Sequence, residues 1–222
     1  MNETVKGRRA YRSERRSAQA AQTRRDIVSA AGVLFRDRGY GVPLTDVAAA
    51  SGVVVETVYR IFGSKAVLFR EVVEALLAGG TSRADVPVAD RPAIRAIRDE
   101  PDPHRQVVAY AATQPGIHRR AGPLLRALRD ARASDPELAR LWDELEAARI
   151  VGQGRFVRLL AERGALRKDL AVEAAIDLLW TLCSLAVYDL LVRDRGWSED
   201  RYQGWLGDIL SRELLGRPGP TP

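Results

Sequence analysis

The apolar positions of this 222-residue chain recur with the period of a helix along most of its length. From Thr23 onward, Ile27, Ala30, Ala31, Leu34 and Phe35 line one helical face, and Gly39 closes it. Pro43-Leu44-Thr45-Asp46 opens a second helix, with Thr45 as its cap and Asp46 complementing its dipole, ending near Ser51. Gly52 breaks it, and Val53, Val58, Ile61 and Phe62 resume the spacing. After Gly63, Ser64 caps a further helix marked by Val67, Leu68, Val72, Ala75 and Leu76, which runs to Gly79-Gly80.

Residues 79–103 carry Pro87, Pro92, Pro101 and Pro103 and read as a linker with a short helix around 93–98. Residues 105–131 are helical in composition, but Pro115-Gly116 and Gly122-Pro123 predict kinks or a break. Asp135-Pro136-Glu137 opens a helix that reaches about Arg163. Another is predicted over 172–193, and Trp197-Ser198-Glu199-Asp200 opens the last. No segment alternates with period two, so the fold class is all-α, with about nine helices. The expected division is an unstructured arm over 1–20, a three-helix helix-turn-helix domain over 21–80, a helical domain over 81–216 and a disordered tail over 217–222.

Charge changes this picture at one end only. The formal charge is +6, and residues 1–25 alone hold eight bases against two acids. Residues 26–80 are net −1 and residues 81–222 net +1. The excess therefore sits in the arm, which would attract a polyanion such as nucleic acid or an anionic membrane.

The helix pair over 45–62 points to the first of these. A small residue, Ala48, lets two short helices approach, Gly52 takes the sharp turn, and Val47, Val53, Val58 and Ile61 lock the second helix onto the first. That is the unit whose second helix enters the DNA major groove, and a basic arm beside it is the expected electrostatic companion.

The run from Thr23 through Ala31, Phe35, Gly39-Tyr40, Thr45, Val47-Ala48, Ser51-Gly52-Val53, Thr57-Val58-Tyr59, Phe62, Ser64-Lys65 and Leu68 resembles the DNA-binding domain of TetR-family transcriptional regulators over about residues 23–75. The resemblance implies a homodimer whose recognition helices, about 54–62, read half-sites of a palindromic operator. It implies that Thr45, Thr57, Tyr59 and Lys65 contact DNA phosphate, that Arg24 also binds DNA, and that Val55, Glu56 and Arg60 face the groove or its rim. Hydroxyls, a phenol and an ammonium suit phosphate oxygens; Arg60 could bond guanine and Glu56 cytosine N4. The chain departs from the family at Val54, where a hydroxyl cap is usual, at Glu56, where a small residue is usual, and at Ile61, where an aromatic or His is commoner.

The second half is similar, more loosely, to the family's effector and dimer domain. Residues 178–188 are uncharged and apolar almost all round, which predicts burial on more than one side. With the last helix they are expected to form a four-helix dimer seam through Leu185, Tyr188, Leu206, Ile209 and Leu210. An effector pocket, apolar with a few polar groups, is expected among Tyr110, Gln114, His118, Trp142, Arg149, Phe156, Trp180 and Cys183. Arg149 is the expected partner of Asp177. The mechanism implied is a population shift, in which a small apolar or aromatic effector draws the dimer from its DNA-competent state.

Other classes fit poorly. His104 and His118 have no companion ligand at metal spacing, Gly152-Gln153-Gly154 lies inside a predicted helix, and neither a nucleophile elbow nor a phosphate loop is present, so neither an enzyme nor a cofactor is expected. The longest stretch without Asp, Glu, Lys or Arg, 106–118, is 13 residues, short of a bilayer span, and the first residues lack the apolar core of a secretory signal; a cytoplasmic protein is expected. The rival reading is a helical protein using its arm to bind nucleic acid or membrane without sequence preference.

Deleting residues 1–20 is expected to weaken binding to all DNA sequences alike and to flatten the salt dependence, by about 0.9 in log–log slope for each phosphate the arm neutralises. An unchanged slope in a salt titration would make the arm a passive extension.

Overall fold

A computed structural model describes residues 3–215 of the chain as helices and short connections that divide into two compact units at Asp85. The expected tail over 217–222 lies outside the described residues.

The first unit begins with helix α1 (Glu3–Arg38), followed by α2 (Leu44–Ala50), α3 (Val55–Phe62), α4 (Lys65–Ala78) and the single turn α5 (Thr81–Ala84). Residues 3–20, within the stretch expected to be an unstructured arm, are instead the first half of α1. Its Ala, Gln, Arg and Glu residues are good helix formers, no proline interrupts them, and the C-terminal half supplies a packed nucleus from which the helix extends. That packed half buries Ile27, Val28, Ala31 and Phe35. They meet Leu68, Phe69, Val72 and Val73 of α4, with Phe35 and Phe69 rings 5.1 Å apart and Tyr40 edge-on to Phe69 at 5.2 Å.

Helices α2 and α3 lie on this pair through Val47 and Ala48 of α2 and Val58 and Phe62 of α3. The turn between them follows from Gly52, whose φ of +70° an L side chain would resist, and from Val53 N–H donating to the Ala48 carbonyl at 3.0 Å. Thr45 does not cap α2. That helix starts one residue earlier, behind Pro43, which has the fixed φ but no side-chain acceptor. Ser64 does cap α4, its Oγ accepting from Val67 N–H at 3.3 Å.

The second unit opens with a 3₁₀ turn (Val88–Asp90) and α6 (Pro92–Asp99), so the predicted linker is largely short helices. Then come α7 (Pro103–Ala131), α8 (Pro136–Glu162), α9 (Val172–Leu182), α10 (Leu185–Tyr188), a π-helical turn (Asp189–Asp194) and α11 (Glu199–Leu214). Helix α7 runs unbroken through Pro115 and Pro123. Each proline removes one helical hydrogen bond, and burial of Ala111, Pro115, Ala121 and Leu124 against the unit's other helices outweighs that loss. The helix expected over 172–193 is interrupted instead: Cys183 ends α9, and Ser184 restarts the chain by accepting from Val187 N–H at 3.2 Å. Asp135 caps α8 as its sequence predicts, accepting from Glu137 N–H at 2.8 Å.

Helix α11 packs along α7 through Tyr202, Leu206, Leu210 and Leu214, a strict i, i+4 stripe with no exposure at all. Gly207 faces α7, where a Cβ would make ordinary van der Waals contact with Val108 at 3.6 Å. This packing overturns part of the expected dimer seam. Leu206 and Leu210 are fully enclosed, and Leu185 and Tyr188 nearly so, within a single chain, which leaves them no surface to offer a partner; Ile209 alone of the five keeps partial exposure.

Candidate nucleic-acid interface

Helix α3 is eight residues long, and its two buried side chains, Val58 and Phe62, fix which face turns outward. Glu56, Tyr59 and Arg60 are exposed on that face, Tyr59 with half of its surface free, while Val55 and Thr57 are half-buried at the helix start. No side chain caps α3 at Val54, so its first N–H groups remain open for an anionic acceptor.

Thr45, Val55, Tyr59 and Lys65 meet in one concavity of about 550 Å³, closed by Pro43, Leu44, Gly63 and Ser64. Three helices contribute to it. Thr45 comes from the first turn of α2, Val55 and Tyr59 from α3, and Lys65 from the first residue of α4. Gly63, with φ of +73°, makes the reversal that brings the start of α4 beside α3. The Lys65 ammonium sits 4.5 Å from the centre of the Tyr40 ring, and partial burial lowers its pKa. The result is an apolar floor rimmed by a hydroxyl, a phenol and an ammonium, a set that complements a phosphate and its sugar. Pro43 and Ser64 belong to this rim although sequence spacing did not single them out as site residues.

Arg24 does not join this group. Its guanidinium makes a two-pronged ion pair with Glu71 of α4, with Nε donating to Oε2 at 2.9 Å, and stacks 4.8 Å from the Phe62 ring. Its Nη1 also donates to the Ile61 carbonyl at 3.4 Å. The side chain expected on DNA is here a clasp joining α1, the end of α3 and α4, its forked donors answering the Glu71 carboxylate and the Ile61 carbonyl.

In the second unit the expected effector residues fall into two sets. Tyr110, Gln114 and His118 form an i, i+4, i+8 stripe on α7, and Tyr110 stacks on Phe156 of α8 at 4.3 Å. His118 is buried with its ring 4.7 Å from that of Tyr188, and Cys183 is buried beside it. Burial, helped by the charges of Arg149 and Arg126, pushes the His118 pKa down to about 4, and burial pushes the Cys183 thiol up to about 12. Both are neutral at physiological pH.

Arg149 and Trp180 form the second set. Arg149 pairs with Glu146 at 2.8 Å, lies 4.9 Å from the Trp180 ring, and donates to the Trp180 carbonyl at 3.1 Å. Asp177, its expected partner, is solvent-exposed, so it needs no buried counter-charge. Trp142 stacks under Arg132 at 5.1 Å, two helical turns before Arg149 on α8. Sequence reasoning missed Gln153 and Tyr202, which belong to the buried set; the signal was there, since Arg149, Gln153 and Phe156 share one face of α8.

Residues 25–72, which hold this concavity, match the family model described as bacterial regulatory proteins, tetR family. That segment is similar to the DNA-binding domain of the tetR family. Solved structures match it over most of their length. NalD, the secondary repressor of the MexAB-OprM multidrug efflux pump in Pseudomonas aeruginosa, is 23% identical with a TM-score of 0.64, over 89% of this chain and 98% of that one. A protein from Saccharomonospora viridis in complex with choline is 21% identical with a TM-score of 0.65, over 88% and 99%. The regulator FadR from Bacillus subtilis, in complex with stearoyl-CoA, is 14% identical with a TM-score of 0.64, over 85% and 98%. No curated protein sequence shows significant similarity to the chain. The match and these structures show a helix-turn-helix domain of that family's kind over residues 25–72, within a fold that its regulators share. Among the described residues no single helix is long and apolar enough to cross a membrane.

If Arg24 is a clasp, Glu71→Gln and Arg24→Gln are each expected to lower the melting temperature, a loss of up to about 1 kcal/mol for a half-exposed pair. Neither change is expected to alter the salt slope of DNA binding; a drop of about 0.9 in Arg24→Gln alone would return Arg24 to a phosphate.

Proposed function

We propose that this protein is a TetR-family regulator, a cytoplasmic repressor that binds a palindromic operator as a homodimer and leaves it when a small apolar or aromatic molecule enters the second unit. The observation that carries the reading is the concavity joining Thr45, Tyr59 and Lys65 beside the exposed face of α3. In this arrangement Thr45, Tyr59 and Lys65 hold phosphate, with Thr57 behind them at the start of α3. Val55, Glu56 and Arg60 then meet base edges, Arg60 bonding guanine and Glu56 cytosine. Residues 21–80 are the DNA-binding domain and 81–216 the sensing and dimerising domain in this reading. Support for small-molecule control comes from fold neighbours solved with choline and with stearoyl-CoA, and for repression from NalD.

A dimer needs a face, and the outward side of the same two helices offers one. Trp180 and Thr181 on α9 and Gly204 and Ile209 on α11 all keep accessible surface. Gly204 has open space where a side chain would stand, which would let a partner helix approach closely.

Selection from random DNA duplexes is expected to return one palindrome, bound about 10³-fold or more tighter than random sequence. Uniform affinity for all duplexes would sink the regulator reading, and Tyr59→Ala should weaken operator binding while the protein stays dimeric. A Cβ at Gly204 meets nothing outside its own helix turn within 4 Å, so Gly204→Arg should leave helicity unchanged while sedimentation shifts to the monomer. A dimer of unchanged strength would move the seam elsewhere.

A further inference from the structure

Val54 breaks two local rules at once. It stands at the N-cap of α3, where a serine, threonine, aspartate or asparagine would accept a hydrogen bond from the helix and valine has no acceptor. It is also 64% exposed, more than any other large apolar side chain among the described residues. Neither property serves the fold, since Val58 and Phe62 are the residues that bury α3 against its neighbours. A position that gives up a cap and holds an apolar group in water is where a function is expected to have set the residue.

An isolated apolar side chain on a surface carries no message by itself. Val54 differs in its place and its rigidity. It immediately precedes the helix whose exposed face carries Glu56, Tyr59 and Arg60, and the first residues of such a helix are the ones that reach base edges. Its backbone is extended, at φ −84° and ψ 152°, and its carbonyl accepts from Thr57 N–H at 2.9 Å, so the point from which the side chain leaves is fixed. Branching at Cβ then restricts χ1, and the two methyl groups need little ordering on binding. Val55 is half-buried in the wall of the concavity, which makes Val54 the freer of the two valines.

The chemistry of the side chain selects its partner. Valine has neither donor nor acceptor, so Val54 cannot hold a phosphate or answer the polar edges of guanine, adenine or cytosine. In the major groove one base carries an apolar group, the C5 methyl of thymine. We propose that Val54 is a specificity-determining residue, selecting thymine at one position of each half-site by packing its methyl groups against that C5 methyl. The proposal rests on the DNA-binding reading above and adds to it a base that no hydrogen bond of the protein reports. Glu56 and Arg60 read by polar groups, and Val54 reads by shape and by the exclusion of water.

The test uses the full chain and a palindrome selected from random duplexes, remade with uracil in place of each thymine of one half-site in turn. Uracil keeps every hydrogen-bonding group of thymine and lacks only the methyl. At one position the exchange is expected to weaken binding by the wild type about fourfold, the worth of one buried methyl group. Val54→Ala is expected to bind the thymine palindrome about fourfold more weakly per half-site and to be indifferent to uracil at that position. A palindrome with no uracil-sensitive position, or a sensitivity that survives in Val54→Ala, would overturn the assignment. So would a loss in Val54→Ala that is equal on random duplexes, the mark of a contact to sugar. Val54→Ser restores a cap and is expected to melt at the wild-type temperature or above; a lower value would make Val54 a packing residue and overturn the proposal too. Failure to select any palindrome ends the regulator reading and this one with it, whereas a palindrome indifferent to uracil ends this one alone.

Discussion

An eight-residue helix does not hold itself together in water, because nucleating a helix costs more than two turns of hydrogen bonds return. Helix α3 therefore exists only where its neighbours hold it, and everything the DNA-facing side can do depends on that anchoring. Val58 and Phe62 supply the apolar part, and Arg24 and Glu71 clamp the far end. With two adjacent turns buried on one side, Glu56, Tyr59 and Arg60 have no choice of direction. The outward face is set by what is inside.

This anchoring also separates attraction from reading. The helix-turn-helix region is slightly acidic by itself, and the bases of residues 1–25 carry the excess charge. Of those bases, Arg24 is committed to Glu71, which takes it out of the supply available for phosphate. Long-range attraction is thus assigned to a different stretch of chain from the side chains proposed to meet base edges. Mutation can adjust one without moving the other, since the first acts through net charge and the second through geometry.

Much of the first unit was legible because its signals are local. Gly52 and Gly63 mark reversals that only positive φ allows, Ser64 caps where a cap is needed, and Val58 and Phe62 repeat at i, i+4. What was not legible depends on which of two partners an apolar or charged side chain meets. Leu206 and Leu210 form a stripe that would serve equally well against a second chain or against α7, and periodicity cannot tell the two apart; Gly207 facing Val108 decides for α7. Arg24 is a basic residue in a basic segment, and only the folded position of Glu71, 47 residues away, diverts it. Pro115 and Pro123 predict breaks by local cost, yet a long helix with several buried turns on each side of them absorbs that cost.

The second unit sets stability against readiness to change shape. The helix break at Cys183 favours the second. A continuous helix through 172–193 would close the unit more firmly, whereas Ser184 begins a new turn beside the buried rings. A helix interrupted inside a packed unit is a joint at which two arrangements can lie close in energy, and moving such a balance from 1:99 to 99:1 takes about 5.5 kcal/mol of differential affinity.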